Sequence, residues 1–555
     1  MIFRIFSSVQ YPAYAGRWIA GLGERVVAQG GSPDQALASA QSIRYKERPW
    51  IAYVSTQNSL IFPEIFESIR AAVPQGSNFY LVGGAVRDAL LGKEAHDLDF
   101  SSPSDPTPIA KEIANGFKGA FFSLDDERST VRVLYTPPLG ERYSIDFTRF
   151  RGEDLEADLR GRDFTINAIA IDTREPQILL DPLGGYADLR AGLLRGCAPT
   201  SFSDDPLRIL RGIRLAASLD FHILPETRQA MLGASPGLER VSAERKRDEL
   251  FRILDGPRPA QAIQALDWLE ALPYLLPELN YLKGVTQSPP HTLDVWHHTL
   301  TVLGFLHDLL AAIAGVPDSS GQKNPWILQS VEKLEKYRQE LVAHFAERLN
   351  PNRSLAGVLA LATLYHDIAK PATREEDANG RIQNLGHEKL GAEAAAMRAQ
   401  ALQLSNIECE RLRKIVRHHM HVHSLIQTGS IPTRRAAHRF FRNTGDAGID
   451  IIILTLADVL GTYGATLTWP VWNAYLETGL ELMKMWWEEP RELILPKGIL
   501  NGHDLQKDLK MAPGPWMSLL LDALREAEAV GTIHNREEAL EFSRRWLKSN
   551  PVREP

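Results

Sequence analysis

Asp97 and Asp99, two apart in the segment His96-Asp-Leu-Asp-Phe100, carry the strongest chemical signal in the chain. Leu98 and Phe100 alternate with them, as on a strand with one buried face, and on a strand residues i and i+2 point the same way. Two carboxylates side by side repel each other unless cations lie between them. Oxygen ligands of this kind suit Mg²⁺, and paired ions of that type drive many phosphoryl transfers. Just upstream, Phe79–Val82 reads as a strand, Gly83-Gly84 breaks it, and Ala85–Leu91 has helical spacing that Gly92 ends. Such a turn, bare of side chains at a helix N-terminus, can set free N–H groups against a phosphate, and Arg87 adds a fixed positive charge. An ordinary turn and a solvated strand end would explain each half separately. The spacing of the two favours one site.

Other residues could join this chemistry. Asp146, on the expected strand Tyr143–Phe147, is a candidate third carboxylate ligand. Arg162, Asp163 and Asn167, within Asp158-Leu-Arg-Gly-Arg-Asp-Phe-Thr-Ile-Asn167, offer groups for triphosphate and sugar oxygens. Ser203-Asp204-Asp205-Pro206 has the marks of a helix start, and Asp205 and Arg208, three apart, share a helical face. Held together, an accepting carboxylate and a donating guanidinium could present a fixed pattern to a base edge; a capped helix with an internal ion pair is the plainer alternative.

A second constellation lies downstream. His297-His298 sits in an apolar helix over Leu293–Leu310 and His366-Asp367 in another over Leu355–Ala369, followed by His387, His418-His419 and Asp458. His and Asp spread over separate helices suit a bundle whose facing side chains meet at a metal. The arginines of Arg434–Arg442, interleaved with Phe440 and Phe441, read as an RNA patch or a solvated helix face.

The elements that must position these residues fall into blocks. A chain of 555 residues exceeds one core, so several domains are expected. Residues 1–74 read as an N-terminal helical extension, 75–200 as short strands with a few helices, 201–289 as a helical neck and body, 290–470 as the His-bearing bundle, and 471–555 as a C-terminal helical region. The net charge of −7 confines nucleic-acid contacts to local basic patches. Two cysteines, Cys197 and Cys409, cannot build a disulfide framework, which fits a reducing cytoplasm. No signal peptide, low-complexity segment or internal repeat is read, and no apolar run is read as long enough to span a membrane.

Jointly these motifs resemble the class II tRNA nucleotidyltransferases, the CCA-adding enzymes and their bacterial poly(A) polymerase relatives. The resemblance spans about residues 75–255 and rests on Gly-Gly-Ala-Val-Arg-Asp88 with Asp97-x-Asp99, Arg162-Asp-Phe-Thr-Ile-Asn-Ala168, Asp181–Leu189, Asp204–Arg214 and Ser242–Glu249. It implies an α+β fold: a polymerase β-type nucleotidyltransferase head, then all-α neck and body domains that hold tRNA. Asp97 and Asp99 would bind catalytic Mg²⁺. Gly83, Gly84 and Arg87 would cradle the triphosphate, and Arg162, Asp163 and Asn167 would contact triphosphate and ribose, Asp163 also holding head against neck. Asp204, Asp205 and Arg208, supported by Arg211, would be the protein template that reads CTP or ATP at a tRNA 3′ end. Residues 290–470 resemble an HD phosphohydrolase domain, implying His298, His366, Asp367 and Asp458 as ligands of a divalent transition metal, with His387 and His419 toward a second metal.

Three departures bear on activity. Gly161 stands where the family usually has a first arginine, leaving that contact missing or to Arg160. The template begins Asp204-Asp205 rather than Glu-Asp. Only Thr148–Ala157 occupies the place of a long loop associated in this family with the change from CTP to ATP. The motif set as a whole implies full CCA addition. The short link leaves CC-only or A-only addition open, a poly(A) polymerase is the rival of the same chemistry, and an RNA-binding HD hydrolase is the rival of another class.

Overall fold

The computed structural model describes the chain apart from residues 1, 8–9, 44–47, 57–59, 61, 75, 127–128, 317–323, 352, 428–430 and 551–555. Its contacts divide it into two units, Met1–Gly237 and Leu238–Pro555.

The first unit is built on one mixed sheet of eleven strands: β1 Ile2–Ser7, β2 Trp18–Leu22, β3 Arg25–Gly30, β4 Trp50–Ser55, β5 Tyr80–Val82, β6 Asp97–Ser102, β7 Ala120–Asp125, β8 Thr130–Tyr135, β9 Tyr143–Arg149, β10 Ala170–Asp172 and β11 Ile178–Leu180. Their order is β3-β2-β4-β1-β11-β10-β5-β6-β9-β8-β7. Leu98 and Phe100 alternate with the two aspartates of β6 and enter the core, where Phe100 stacks on Phe147 of β9 (ring centroids 5.2 Å) and on Phe66 (6.3 Å). The helices Glu64–Ala72 and Thr107–Phe117 add Ile65, Ile69, Ala110 and Ile113 to the same core. Burying this apolar set leaves Asp97 and Asp99 on the other side of β6.

The structure overturns the helical reading of residues 1–74. Helix is present over Pro33–Gln41 and Glu64–Ala72, close to the expected starts, but β1 to β4 extend the sheet. Trp18-Ile-Ala-Gly-Leu22 and Trp50-Ile-Ala-Tyr-Val-Ser55 are apolar, aromatic-rich runs that suit a packed sheet. The pairing that holds them is distant in sequence: Ile2 lies opposite Leu180. Phe3, Trp18 and Tyr53 pack around Tyr186, with the Arg190 guanidinium 4.7 Å from the Tyr53 ring centre. Neither residue 75 nor residue 201 therefore begins a separate unit; the division falls at 237/238.

Among the described residues the second unit is helical apart from two short antiparallel pairs, Arg348–Asn350 with Arg353–Ser354 and Glu375–Glu376 with Ile382–Gln383. Its central helix is Ala447–Tyr463. By length and composition this helix could cross a membrane, contrary to the expectation that no run would, but 89% of the span is buried inside the protein. Its two carboxylates have partners within the unit. Asp450 is held by His344 and Arg411 at 2.7 Å each, and Asp458 lies 3.1 Å from His298.

Candidate active and metal sites

In the head, β5 runs antiparallel to β6 with Val82 opposite Asp99, and β6 runs parallel to β9 with Asp99 beside Asp146. The chain leaves β5 through Gly83, whose φ of +78° disfavours any other residue, and enters the helix Gly84–Leu90. A Cβ on Gly83 would stand 2.8 Å from Asp99 Oδ2 and 3.3 Å from Arg162 Nη1, so the bare turn sits directly against the carboxylate. Asp97 is exposed and Asp99 half-buried. Burial pushes the Asp99 carboxyl above its ordinary pKa; Asp146 and Asp97 push the same way, while Arg162 and Arg211 oppose them. A carboxylate crowded by two others is a group that a divalent cation would relieve, so the donor set fits Mg²⁺.

The expected third ligand is compensated differently. Asp146 receives Arg132 through two hydrogen bonds of 2.7 Å, Nε to Oδ1 and Nη2 to Oδ2, which neutralise it within the protein. Arg87 and Asn167, read from sequence as two separate ligands, form one pair: Arg87 Nη1 donates to Asn167 Oδ1 at 2.7 Å, and Arg87 Nε to Asp88 at 2.9 Å. Asp163 is buried. One oxygen accepts from the Phe164 N–H (2.8 Å) and Asn167 Nδ2 (3.0 Å), and the other faces Arg211 Nη2 at 2.9 Å. Burial raises its pKa, but Arg211, Asn167 and the Phe164 N–H outweigh this and hold it below the usual carboxylate range. Asp163 thus links the segment after Arg162 to the helix Leu207–Leu219, as a residue holding head to neck would.

The predicted template helix is interrupted. Asp204 ends the helix Ser201–Asp204, Asp205 is extended, and the next helix begins at Leu207. Asp205 Oδ1 accepts the Leu207 N–H at 3.3 Å. Arg208 is foremost an anchor, with Nη1 donating to the carbonyls of Arg162 and Ser201 at 3.1 Å each and Nη2 to that of Gly161 at 2.6 Å. Arg160 pairs with Glu156 on an exposed face (2.7 Å). Arg151 reaches the Gly161 carbonyl at 3.3 Å.

The second unit gathers the expected His and Asp residues from separate helices. His298 comes from Val295–Ala314, His366 and Asp367 follow Leu355–Tyr365, His387 opens His387–Ala401, His419 follows Asn406–His418, and Asp458 lies on Ala447–Tyr463. Three of the imidazoles share one device. Nδ1–H of His366, His387 and His419 donates to the carbonyl three residues earlier at 2.7–2.8 Å, which fixes the tautomer and presents Nε2. Those Nε2 atoms converge on Asp367, at 3.2 Å for His366, 3.4 Å for His387 and 3.9 Å for His419. His298 Nε2 stands 3.6 Å from Asp367 and 3.1 Å from Asp458. The buried atoms His298 Nδ1 and His366 Nε2 have no hydrogen-bond partner among the described residues. Two ligand groups are near enough to share an ion each, His298/His366/Asp367 and Asp367/His387/His419. Orphaned nitrogens beside a buried carboxylate fit a borderline divalent metal. Burial, reinforced by His366 and His387, lowers His419 to about 3, so its ring is neutral and free to donate to a metal.

Sequence reading missed two partners here. His423 Nε2 lies 3.1 Å from Asp458 Oδ2 while its Nδ1 meets the Tyr475 hydroxyl at 3.0 Å, and Lys370 Nζ lies 2.6 Å from Asp367 Oδ2. The alternation His419-Met-His421-Val-His423 was the signal available for the first. The basic face over Arg434–Arg442 is neutralised within the unit: Arg435 and Arg439 meet Glu526 at 3.0 and 2.7 Å, Arg434 meets Glu489 at 3.1 Å and Arg442 meets Asp522 at 3.6 Å. Arg434, Arg435 and Arg439 remain 48–60% exposed in these pairs.

Comparison with known proteins places one family on the head, one across the 237/238 division and one on the His-bearing bundle. The Poly A polymerase head domain family matches residues 79–195, the family described as the probable RNA and SrmB-binding site of polymerase A matches 220–282, and the HD domain family matches 338–462. The A-adding tRNA nucleotidyltransferase of Deinococcus radiodurans is 33% identical over 478 residues, covering 85% of this chain and 96% of that one. The CC-adding tRNA nucleotidyltransferase of Thermus thermophilus is 33% identical over 476 residues, 84% of this chain and 93% of that one. The Thermotoga maritima CCA-adding enzyme, solved with tRNA, shares the fold at a TM-score of 0.52 and 21% identity, covering 88% of this chain and 97% of that one. A head with paired aspartates against a glycine turn, an HD domain later in the chain, and relatives matched over nearly their whole length make this chain a member of the tRNA nucleotidyltransferase family, an enzyme that transfers nucleotides.

Proposed function

We propose that this chain adds cytidine residues from CTP to tRNA 3′ ends in the cytoplasm and stops at CC. Asp97 and Asp99 would hold Mg²⁺, which, when bound, withdraws negative charge from the triphosphate as the tRNA 3′ oxygen attacks and pyrophosphate leaves. The protein's part is positioning. The turn at Gly83 lets backbone approach the triphosphate beside Asp99, Arg162 supplies positive charge there, and Asp204 and Asp205 border the base.

The observation that carries the choice of CC is the link between β9 and the helix Leu155–Arg160. Residues 150–154 close it with no long excursion: at its start the Phe150 N–H donates to the Ser102 carbonyl at 2.8 Å and the Arg151 N–H to Asp158 Oδ1 at 3.1 Å, and at its end Asp154 Oδ1 accepts the Ala157 N–H at 2.8 Å. A site that must first fit C and later A needs a part that rearranges, and a pinned link of this length is poorly suited to that. ATP addition, as the last step of CCA or alone, is the competing reading, favoured by the A-adding relative being as similar as the CC-adding one. Incubating tRNAs ending before CCA, at C and at CC with each labelled triphosphate decides between them. C incorporated onto the first two and nothing onto the third supports CC addition.

The HD residues would hold a divalent transition metal, with His298, His366, Asp367 and Asp458 as its ligands and His387 and His419 toward a second. Such a centre supports phosphoester hydrolysis, and activity on a phosphomonoester or cyclic phosphate that survives loss of Asp97 is its test.

A further inference from the structure

Asp158 has been described only as an anchor for the Arg151 N–H, yet its carboxylate is only 1% exposed and holds three groups. Oδ1 accepts the Arg151 N–H at 3.1 Å, while Oδ2 accepts the Ser101 hydroxyl at 3.1 Å and Arg162 Nη2 at 3.3 Å. Ser101 closes the triangle, its oxygen accepting from the same Arg162 Nη2 at 3.1 Å. Burying a carboxylate is costly unless it is paired and hydrogen-bonded, and here the compensation comes from residues beside the active site. Arg162 is a long side chain with many rotamers, and this contact selects one. In that rotamer Nη1 lies 3.3 Å from where a Cβ on Gly83 would stand, against the bare turn, and the buried Nε has no hydrogen-bond partner among the described residues.

We infer that Asp158 is a positioning residue: with Ser101 it aims Arg162 at the triphosphate turn, and through the Arg151 N–H it couples that aim to the short link. The inference rests on reading Arg162 as a triphosphate contact. Asp158→Asn is nearly isosteric and can still accept the Arg151 N–H, but it removes the charge that holds Arg162.

The test is steady-state CTP incorporation into a tRNA lacking CCA, with thermal melting in parallel, for Asp158→Asn, Ser101→Ala, Arg162→Lys and the double variant Asp158→Asn/Arg162→Lys. Asp158→Asn is expected to raise KM for CTP about tenfold with kcat within about threefold, and Ser101→Ala to raise KM about twofold. With Arg162 already Lys, Asp158→Asn should add less than about twofold, because the group it aims has been replaced. An Asp158→Asn protein with parental KM, alongside an Arg162→Lys protein with raised KM, overturns the inference and leaves the triphosphate reading standing. Multiplicative effects in the double variant overturn it equally. Parental KM in Arg162→Lys overturns the triphosphate reading and the inference with it. If Asp158→Asn does not fold, Ser101→Ala supplies the same comparison.

Discussion

The head site and the HD site both gather carboxylates for cations, and they do so with opposite architectures. In the head, Asp97 is exposed and Asp99 half-buried on a strand, and the surrounding charge is set by arginines from separate segments: Arg162 and Arg211 against Asp99, Arg132 on Asp146. In the HD domain the ligands are buried, and three imidazoles are oriented by their own backbone through Nδ1. A site that exchanges substrate at every turnover gains from open carboxylates and adjustable guanidinium groups. A site that retains a metal gains from buried, fixed nitrogens. The energetic consequences differ accordingly, and substitutions should separate the two.

The largest effect is expected at the open carboxylates. On the proposed reading of Asp97 and Asp99 as Mg²⁺ ligands, Asp97→Ala or Asp99→Ala should lower nucleotide incorporation about 10³-fold or more while leaving the metal content of the HD domain unchanged, since neither residue touches the bundle. Metal analysis and incorporation assays on the same preparation check this. Next is the helix that carries Asp458. Its other carboxylate, Asp450, is buried and bonded to Arg411 and His344. Arg411→Ala would leave that buried charge with His344 but without its guanidinium and destabilise the helical unit by about 3 kcal/mol, readable by denaturant unfolding. Third, the double variant His366→Ala/Asp367→Ala should lose transition metal by elemental analysis with CTP incorporation changed less than about threefold, the mirror image of the Asp97 result.

A smaller effect concerns pH. Arg353 holds the buried Glu408 by bonds of 2.6 and 2.9 Å. Burial raises the Glu408 pKa, but Arg353 and Ser405 outweigh it and leave the folded value below the ordinary 4.5. The pair's stabilisation is thus present above about pH 4.5 and is lost as pH falls below that value, because the unfolded state binds the proton first. Unfolding free energy measured from pH 6 down to pH 3 should fall less steeply for Glu408→Gln than for the parent.

What could be read from sequence follows the same division. Asp97-x-Asp99, the Gly83 turn and the His and Asp positions of the bundle were legible because each depends on local periodicity and residue type. The N-terminal strands were not, since β1 gains its partners at residues 52–55 and 178–180, and pairing so distant leaves no periodic trace in a six-residue strand. Individual arginine partners were also illegible. Arg87 and Arg160 read from sequence as cations for phosphate and Arg208 as the partner of Asp205, and the fold gives them Asn167, Glu156 and backbone carbonyls respectively. A guanidinium reaches far enough that its partner is decided by tertiary packing rather than by neighbours in the chain.

The central claim, that a pinned link confines the head to cytidine, is tested most directly by sequencing tRNA 3′ ends after reaction with CTP and ATP together. The proposed reading predicts products ending in CC, with no A appearing even when the starting tRNA already ends in CC. Products ending in CCA, or A incorporated onto a tRNA ending in CC, would contradict it.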